Sequence, residues 1–209
     1  MRRGSLLFYL LWSAQTSAAP AAQISQLPPV IPLHQDLVAV DYFSEGRQSG
    51  CGIRATGEPE ENVWLNVLVS VFQKESGQTF GIFKVAGNKT DMKDGVPLLQ
   101  NGRITYSSTG KIRKAWLRTE SGETTRILPN GKLLHNDGYM ASMEFSSTMD
   151  LLAAIPQGSI KVSVIRNEES SEEIFEFNKR MSPIEAGKLF TCMKNLRNTI
   201  EESKRGKSS

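Results

Sequence analysis

The chain is short of the residues that usually carry chemistry. It holds two cysteines and two histidines in 209 residues. His34, His135, Cys51 and Cys192 are widely separated and show no metal-ligand spacing, so neither a metal nor another cofactor is implied. A Ser/His/Asp triad would need His135, in a His-Asn-Asp-Gly turn, or His34, in a Pro-rich stretch. Asp137 is too close in sequence to orient His135. There is no Gly-x-Ser-x-Gly elbow and no phosphate- or dinucleotide-binding glycine pattern; the glycines sit at turns. Internal repeats and low-complexity blocks are absent. No catalytic residue can be named on this basis.

Long apolar runs are also scarce, and the one clear run stands at the start. Arg2 and Arg3 precede apolar residues 6–12, and small residues follow. These are the three parts of a secretory signal peptide. Ala19 and Ala21 form an Ala-x-Ala site, so residues 1–21 are the expected signal, cleaved after Ala21. The alternative, an uncleaved anchor, is disfavoured because the run is shorter than the ~20 residues a span requires. No cysteine follows closely enough to carry a lipid, and no transmembrane span is expected after cleavage. The expected location is periplasmic or extracellular. Loss of Arg2 and Arg3 lowers the formal charge from +3 to +1, so the global balance selects no partner.

Export places Cys51 and Cys192 in an oxidising compartment, where a disulfide between them is expected. Two buried thiols, or pairing with another chain, are the alternatives. Residues 22–35 contain Pro28, Pro29 and Pro32 and read as an extended linker. Residues 36–200 read as a single α+β domain. Residues 201–209 have no apolar member and read as a disordered tail.

The domain is organised around residues 159–196. Ile160, Val162 and Val164 alternate with Lys161 and Ser163, and Phe175 and Phe177 face them across a polar turn, which predicts a β-hairpin. A helix follows, with Ser182 as cap, Pro183 at its first position and Glu185 placed to reach back to the cap backbone. Ala186, Leu189, Phe190, Met193, Leu196 and Ile200 form its apolar stripe, with Cys192 at the edge. The preceding hairpin is the expected packing surface.

Residues 36–43 suit a strand or a short helix equally. Val63, Leu65, Val67, Val69 and Val71 alternate with Trp64, Leu68 and Phe72, which predicts a central strand covered on both sides, with 79–85 as its partner. Asn101-Gly102, Thr109-Gly110, Ser121-Gly122 and Asn130-Gly131 punctuate short stretches at 103–107, 112–118 and 124–128, the spacing of an antiparallel meander. Another strand is expected at 139–145, then a short helix at 149–155 capped by Ser147 and stopped by Pro156 and Gly158. The fold class is therefore α+β: mainly antiparallel sheet built of hairpins, a short helix, and a C-terminal amphipathic helix packed on the sheet.

Charge is segregated. Residues 101–134 hold seven cations against two carboxylates, whereas 166–177 hold five glutamates against Arg166. Arg103, Lys111 and Lys132 directly follow turn glycines, and Arg113 lies on the opposite strand face from Ile112, Lys114, Trp116 and Arg118. Arg103, Lys111, Arg113 and Lys132 are the candidate partner-binding residues. Export argues against nucleic acid, so the expected partner is an anionic envelope component or another protein, including the acidic hairpin of a second copy. The expected function is that of an exported, non-catalytic interaction or binding protein, with an envelope or secretion assembly as its setting. An envelope hydrolase working through a carboxylate pair is the alternative; the acidic clusters at 58–61 and 168–173 read as solvated turns. If the leader is removed as expected, intact-mass measurement on protein recovered from the periplasm or medium gives a chain beginning near Ala22. Retention of Met1 on most molecules contradicts cleavage.

Overall fold

The computed structural model describes residues 30–119, 132–134, 137–166, 171–178 and 180–205. The predicted signal peptide, the expected strand at 124–128 and His135 lie outside them. In chain order the strands are β1 (Val30–Pro32), β2 (His34–Ser44), β3 (Arg47–Glu60), β4 (Val63–Gln73), β5 (Thr79–Thr90), β6 (Met92–Lys93), β7 (Val96–Pro97), β8 (Leu99–Gln100), β9 (Arg103–Ile104), β10 (Tyr106–Ser108), β11 (Lys114–Thr119), β12 (Lys132–Leu133) and β13 (Tyr139–Met143). Helix α1 (Phe145–Ala154) and a 3-10 turn (Ile155–Gln157) precede β14 (Ile160–Ile165) and β15 (Glu173–Phe177), and α2 (Pro183–Arg205) follows.

A large antiparallel sheet runs β12-β13-β5-β4-β3-β2, with β10 paired to the far end of β5. A smaller sheet runs β1-β15-β14-β11, in which β1 is parallel to β15. The fold is α+β and mostly antiparallel, as the hairpin punctuation predicts. Cross-strand partners share a face, so the register identifies the covered side of the large sheet. Cys51 opposes Val71 and Val71 opposes Gly81. Ile53, Val69 and Phe83 form the next row, and Ala55, Val67 and Val85 the one after. All nine belong to this face, and the hydrophobic members are buried in one continuous core.

Helices α1 and α2 and the small sheet all lie against this face. Two glycines allow the approach. A Cβ at Gly81 would collide with the Thr148 side chain of α1, and one at Gly87 would collide with the Thr109 side chain. Glycine is needed there for space and not for φ.

The Cys51–Cys192 disulfide forms, with Cα atoms 5.8 Å apart, and both residues are buried. It ties α2 to β3. The helix therefore packs on β2 and β3 of the large sheet and not on the β14–β15 hairpin expected from adjacency in sequence. Leu189, Met193, Leu196 and Ile200 are buried as predicted, but Phe190 faces outward at 44% exposure. Ser182 Oγ accepts the Glu185 N–H at 3.2 Å, so the cap is made. The return bond of the capping box is replaced. Glu185 Oε2 instead accepts the Ala39 N–H of edge strand β2 at 2.8 Å, and Oε1 accepts from Lys188 Nζ at 2.6 Å. A sheet edge with free N–H groups invites pairing with other chains, and this contact closes one of them.

Several expectations are revised. Residues 30–35, placed in the linker, belong to the sheets: Leu33 is buried against Gly57, and its N–H bonds Glu176 O. Residues 36–43 are strand. The tail is helical as far as Arg205, because the last turn continues α2 beyond Ile200. Helix α1 starts at Phe145, with Ser147 inside it; the Ser147 hydroxyl donates to Glu144. Among the described residues no other layer covers the outer face of β4. Trp64, Leu68 and Phe72 are shielded only in part, Phe72 by Tyr42 (ring centroids 4.6 Å apart) and Phe80 (5.5 Å).

Two outcomes follow. Cys192→Ala removes closure of a 141-residue span, worth at most about 5 kcal/mol. Its melting temperature should fall by roughly 10 °C, read by calorimetry, with one linked peptide pair in the wild type on non-reducing mapping. The second concerns acid. The hydrogen bond from Lys188, then that from Ala39, holds the Glu185 carboxyl below its ordinary value of 4.5. A depressed folded value stabilises above the ordinary value and is lost as pH falls through the folded one. The stability gap between wild type and Glu185→Gln should be present at pH ~7 and shrink below pH ~4.5 in urea titrations. A gap that stays constant through the acid range contradicts the assignment.

Candidate interaction surface

After β5 the chain leaves the large sheet at Asp91 and rejoins it at Tyr106, where β10 pairs with Asn88–Thr90 of β5. The excursion is a double hairpin. Its first ladder pairs Met92 with Pro97 and Lys93 with Val96; its second pairs Leu99 with Ile104 and Gln100 with Arg103. Each is closed by a two-residue turn. Asp94 and Gly95 have φ of 52° and 79°, and Asn101 and Gly102 have 53° and 73°. Two successive positive φ values are the requirement of the type I′ turn, which Asp-Gly and Asn-Gly satisfy at least cost. The root is stitched by Leu98 N–H to Asp91 O (2.8 Å), Thr105 N–H to Leu98 O (2.9 Å) and Asp91 N–H to Thr105 O (3.1 Å).

What this scaffold displays is apolar. Met92, Val96, Leu98, Leu99, Ile104 and Tyr106 are all exposed, Val96 and Leu99 to more than 60%. They are six of the eleven exposed large hydrophobic residues among the described residues. Singly exposed apolar side chains are ordinary; a dense group on one projection marks a contact surface. None of these six was among the candidate partner-binding residues. The signal was available in Asp94-Gly95 and Asn101-Gly102 set among apolar residues, with strands too short to hide them.

Among the described residues the expected meander does not form. Strand β10 joins β5, whereas β11 crosses to the small sheet and pairs with β14. The reason is visible in the side chains: Ile112, Ala115 and Leu117 are buried in the common core, which draws this segment under the large sheet. The alternation is also out of phase with the expectation, because Ile112 is buried ahead of the strand and Lys114 is exposed.

The four candidate cations consequently separate. Arg103 lies exposed on the second ladder of the double hairpin. Lys111 and Arg113 are exposed on either side of buried Ile112, whose N–H bonds Asp137 O at 2.8 Å. Lys132 lies in β12 opposite Met140, beyond the turn that carries Asp137. Lys111 and Arg113 thus stand beside the turn that leads back to Lys132, and Arg103 stands apart on the projection. Arg166 fixes the base of this region. Its guanidinium bonds Glu173 at 3.0 Å and reaches the Thr109 carbonyl and hydroxyl, both at 3.2 Å.

Glu58, Glu173 and Glu176 of the acidic stretches have structural partners. Glu58 accepts the Asn62 N–H at 2.9 Å in the β3–β4 turn. Glu173 pairs with Arg166, and Glu176 with Lys161 at 3.4 Å across the hairpin. Glu168 and Glu169 lie outside the described residues. Glu185 moves down from its ordinary value, opposite to what a proton donor at neutral pH needs. Among the described residues no group of three or more His, Cys, Asp or Glu side chains is placed to hold a metal ion. No protein-family model, curated protein or solved structure matches the chain.

Proposed function

We propose that this is an exported, non-catalytic binding protein that contacts an anionic component of the cell envelope, periplasmic or extracellular, through the double hairpin and the cations beside it. The observation that carries the reading is the projection at 91–106, which presents six exposed apolar side chains on a hydrogen-bonded scaffold. Arg103 stands on the projection, and Lys111 and Arg113 beside its return strand, so the region combines desolvation energy with positive charge. Such a combination gives affinity from the apolar contact and orientation from the charge. The disulfide fits an oxidising compartment. No helix among the described residues is long and apolar enough to cross a membrane.

The test is co-sedimentation of the mature protein with isolated envelope membranes at low and high salt. Exposed charges are screened over about 8–10 Å near physiological ionic strength, so binding should weaken as salt rises. Joint reversal of Arg103, Lys111, Arg113 and Lys132 to Glu should weaken it by more than about tenfold at low salt. Unchanged binding at both salt levels, with the fold intact by circular dichroism, would reduce the four cations to ordinary solvated surface.

A further inference from the structure

We infer that the double hairpin is a membrane-docking element whose apolar side chains enter the interfacial layer of an anionic lipid bilayer. The inference rests on the anionic-partner reading above and names that partner as lipid. Three observations lead to it. The first is the distribution of apolar groups. Cross-strand partners share a face, so Met92 and Pro97 lie on one side of the first ladder, and Val96 with Lys93 on the other. Both Met92 and Val96 are exposed. A folded protein partner covers one side of a thin ladder. A fluid apolar layer surrounds the tip and covers both.

The second observation is size. Each ladder has two rungs, a reach of about 7 Å along the strands. That matches the roughly 5–10 Å to which interfacial elements sink their apolar side chains. Exposed Tyr106, at the return to the sheet, is of the amphipathic type that settles at headgroup level. Backbone groups at the root are satisfied within the projection, which lowers the cost of bringing it to an apolar medium.

The third is charge. Lys89 stands at the root of the projection, and Lys93 and Arg103 stand on its two ladders, against Asp91 and Asp94. Each of the three cations is exposed. Cations set this close to a short apolar tip are attracted to anionic headgroups.

The test uses the mature protein and two sets of sedimentable vesicles, phosphatidylcholine alone and phosphatidylcholine mixed with phosphatidylglycerol. Binding to the anionic vesicles is expected, with little to the neutral ones. Val96→Asp and Leu99→Asp alter exposed positions, and each should lower the partition coefficient about tenfold or more. Lys93→Glu combined with Arg103→Glu should lower it by a similar factor. In Leu99→Trp, the added indole should shift its emission to the blue on anionic vesicles. Failure to sediment with anionic vesicles, or equal sedimentation of Leu99→Asp, overturns the inference. Salt-sensitive binding to envelope membranes, without binding to pure lipid, leaves the anionic-partner reading standing and removes lipid as the partner. A concentration-dependent dimer abolished by Leu99→Asp, in protein that ignores vesicles, assigns the tip to a second copy instead.

Discussion

Cys51 sits inside β3 on the face shared by Val71 and Gly81, and its bond to Cys192 holds α2 flat against β2 and β3. With the helix fixed there, its first turn comes alongside the sheet edge, and Glu185 meets the Ala39 N–H. Helix α1 occupies the neighbouring part of the same face, over β4 and β5. The small sheet and the segments leading to and from it then cover what remains, with Leu33, just after β1, against Gly57 and Thr109, ahead of β11, against Gly87. A single covalent contact thereby determines which half of the sheet each covering element can use.

Among the described residues all of the covering material lies on one side, which leaves two kinds of exposed apolar surface. On the outer face of the large sheet, Tyr42, Phe72 and Phe80 shield one another, and Lys74 lies over the Phe80 ring at 5.3 Å. Neighbouring strands supply part of the burial that a second layer would have supplied. On the double hairpin no comparable mutual shielding exists, since ladders of two rungs have too few neighbours. The difference between these surfaces is one of local geometry, because the residue types are similar.

The elements most legible in the sequence were those with long, unambiguous periodicity. Val63–Gln73 is a strand with the predicted bounds, and the stripe of α2 is buried at Leu189, Met193, Leu196 and Ile200. Pairing across distance was much less legible. Nothing in the alternation of β11 says that it joins β14 and not its sequence neighbours, because turn glycines mark where strands end and not where they go. The linker was misread because Pro28, Pro29 and Pro32 exclude helix but permit strands at a sheet edge. Of the proposed contact surface, the cations were visible as a composition. The apolar tip was not, because exposure is a property of the ladder length and not of the residues.

The disulfide has a topological consequence as well. The double hairpin, with its exposed Asp94-Gly95 and Asn101-Gly102 turns, lies within the segment bounded by Cys51 and Cys192. Outside the cytoplasm, such turns are the natural point of attack for proteases. A nick there would divide the chain into two fragments that remain one molecule. The first would keep β2 to β5 and the second β10 to α2, joined by the sulfur bridge and by the β5–β10 and β5–β13 ladders. Under non-reducing electrophoresis the nicked form would migrate near the intact one, and only a reductant would separate the pieces.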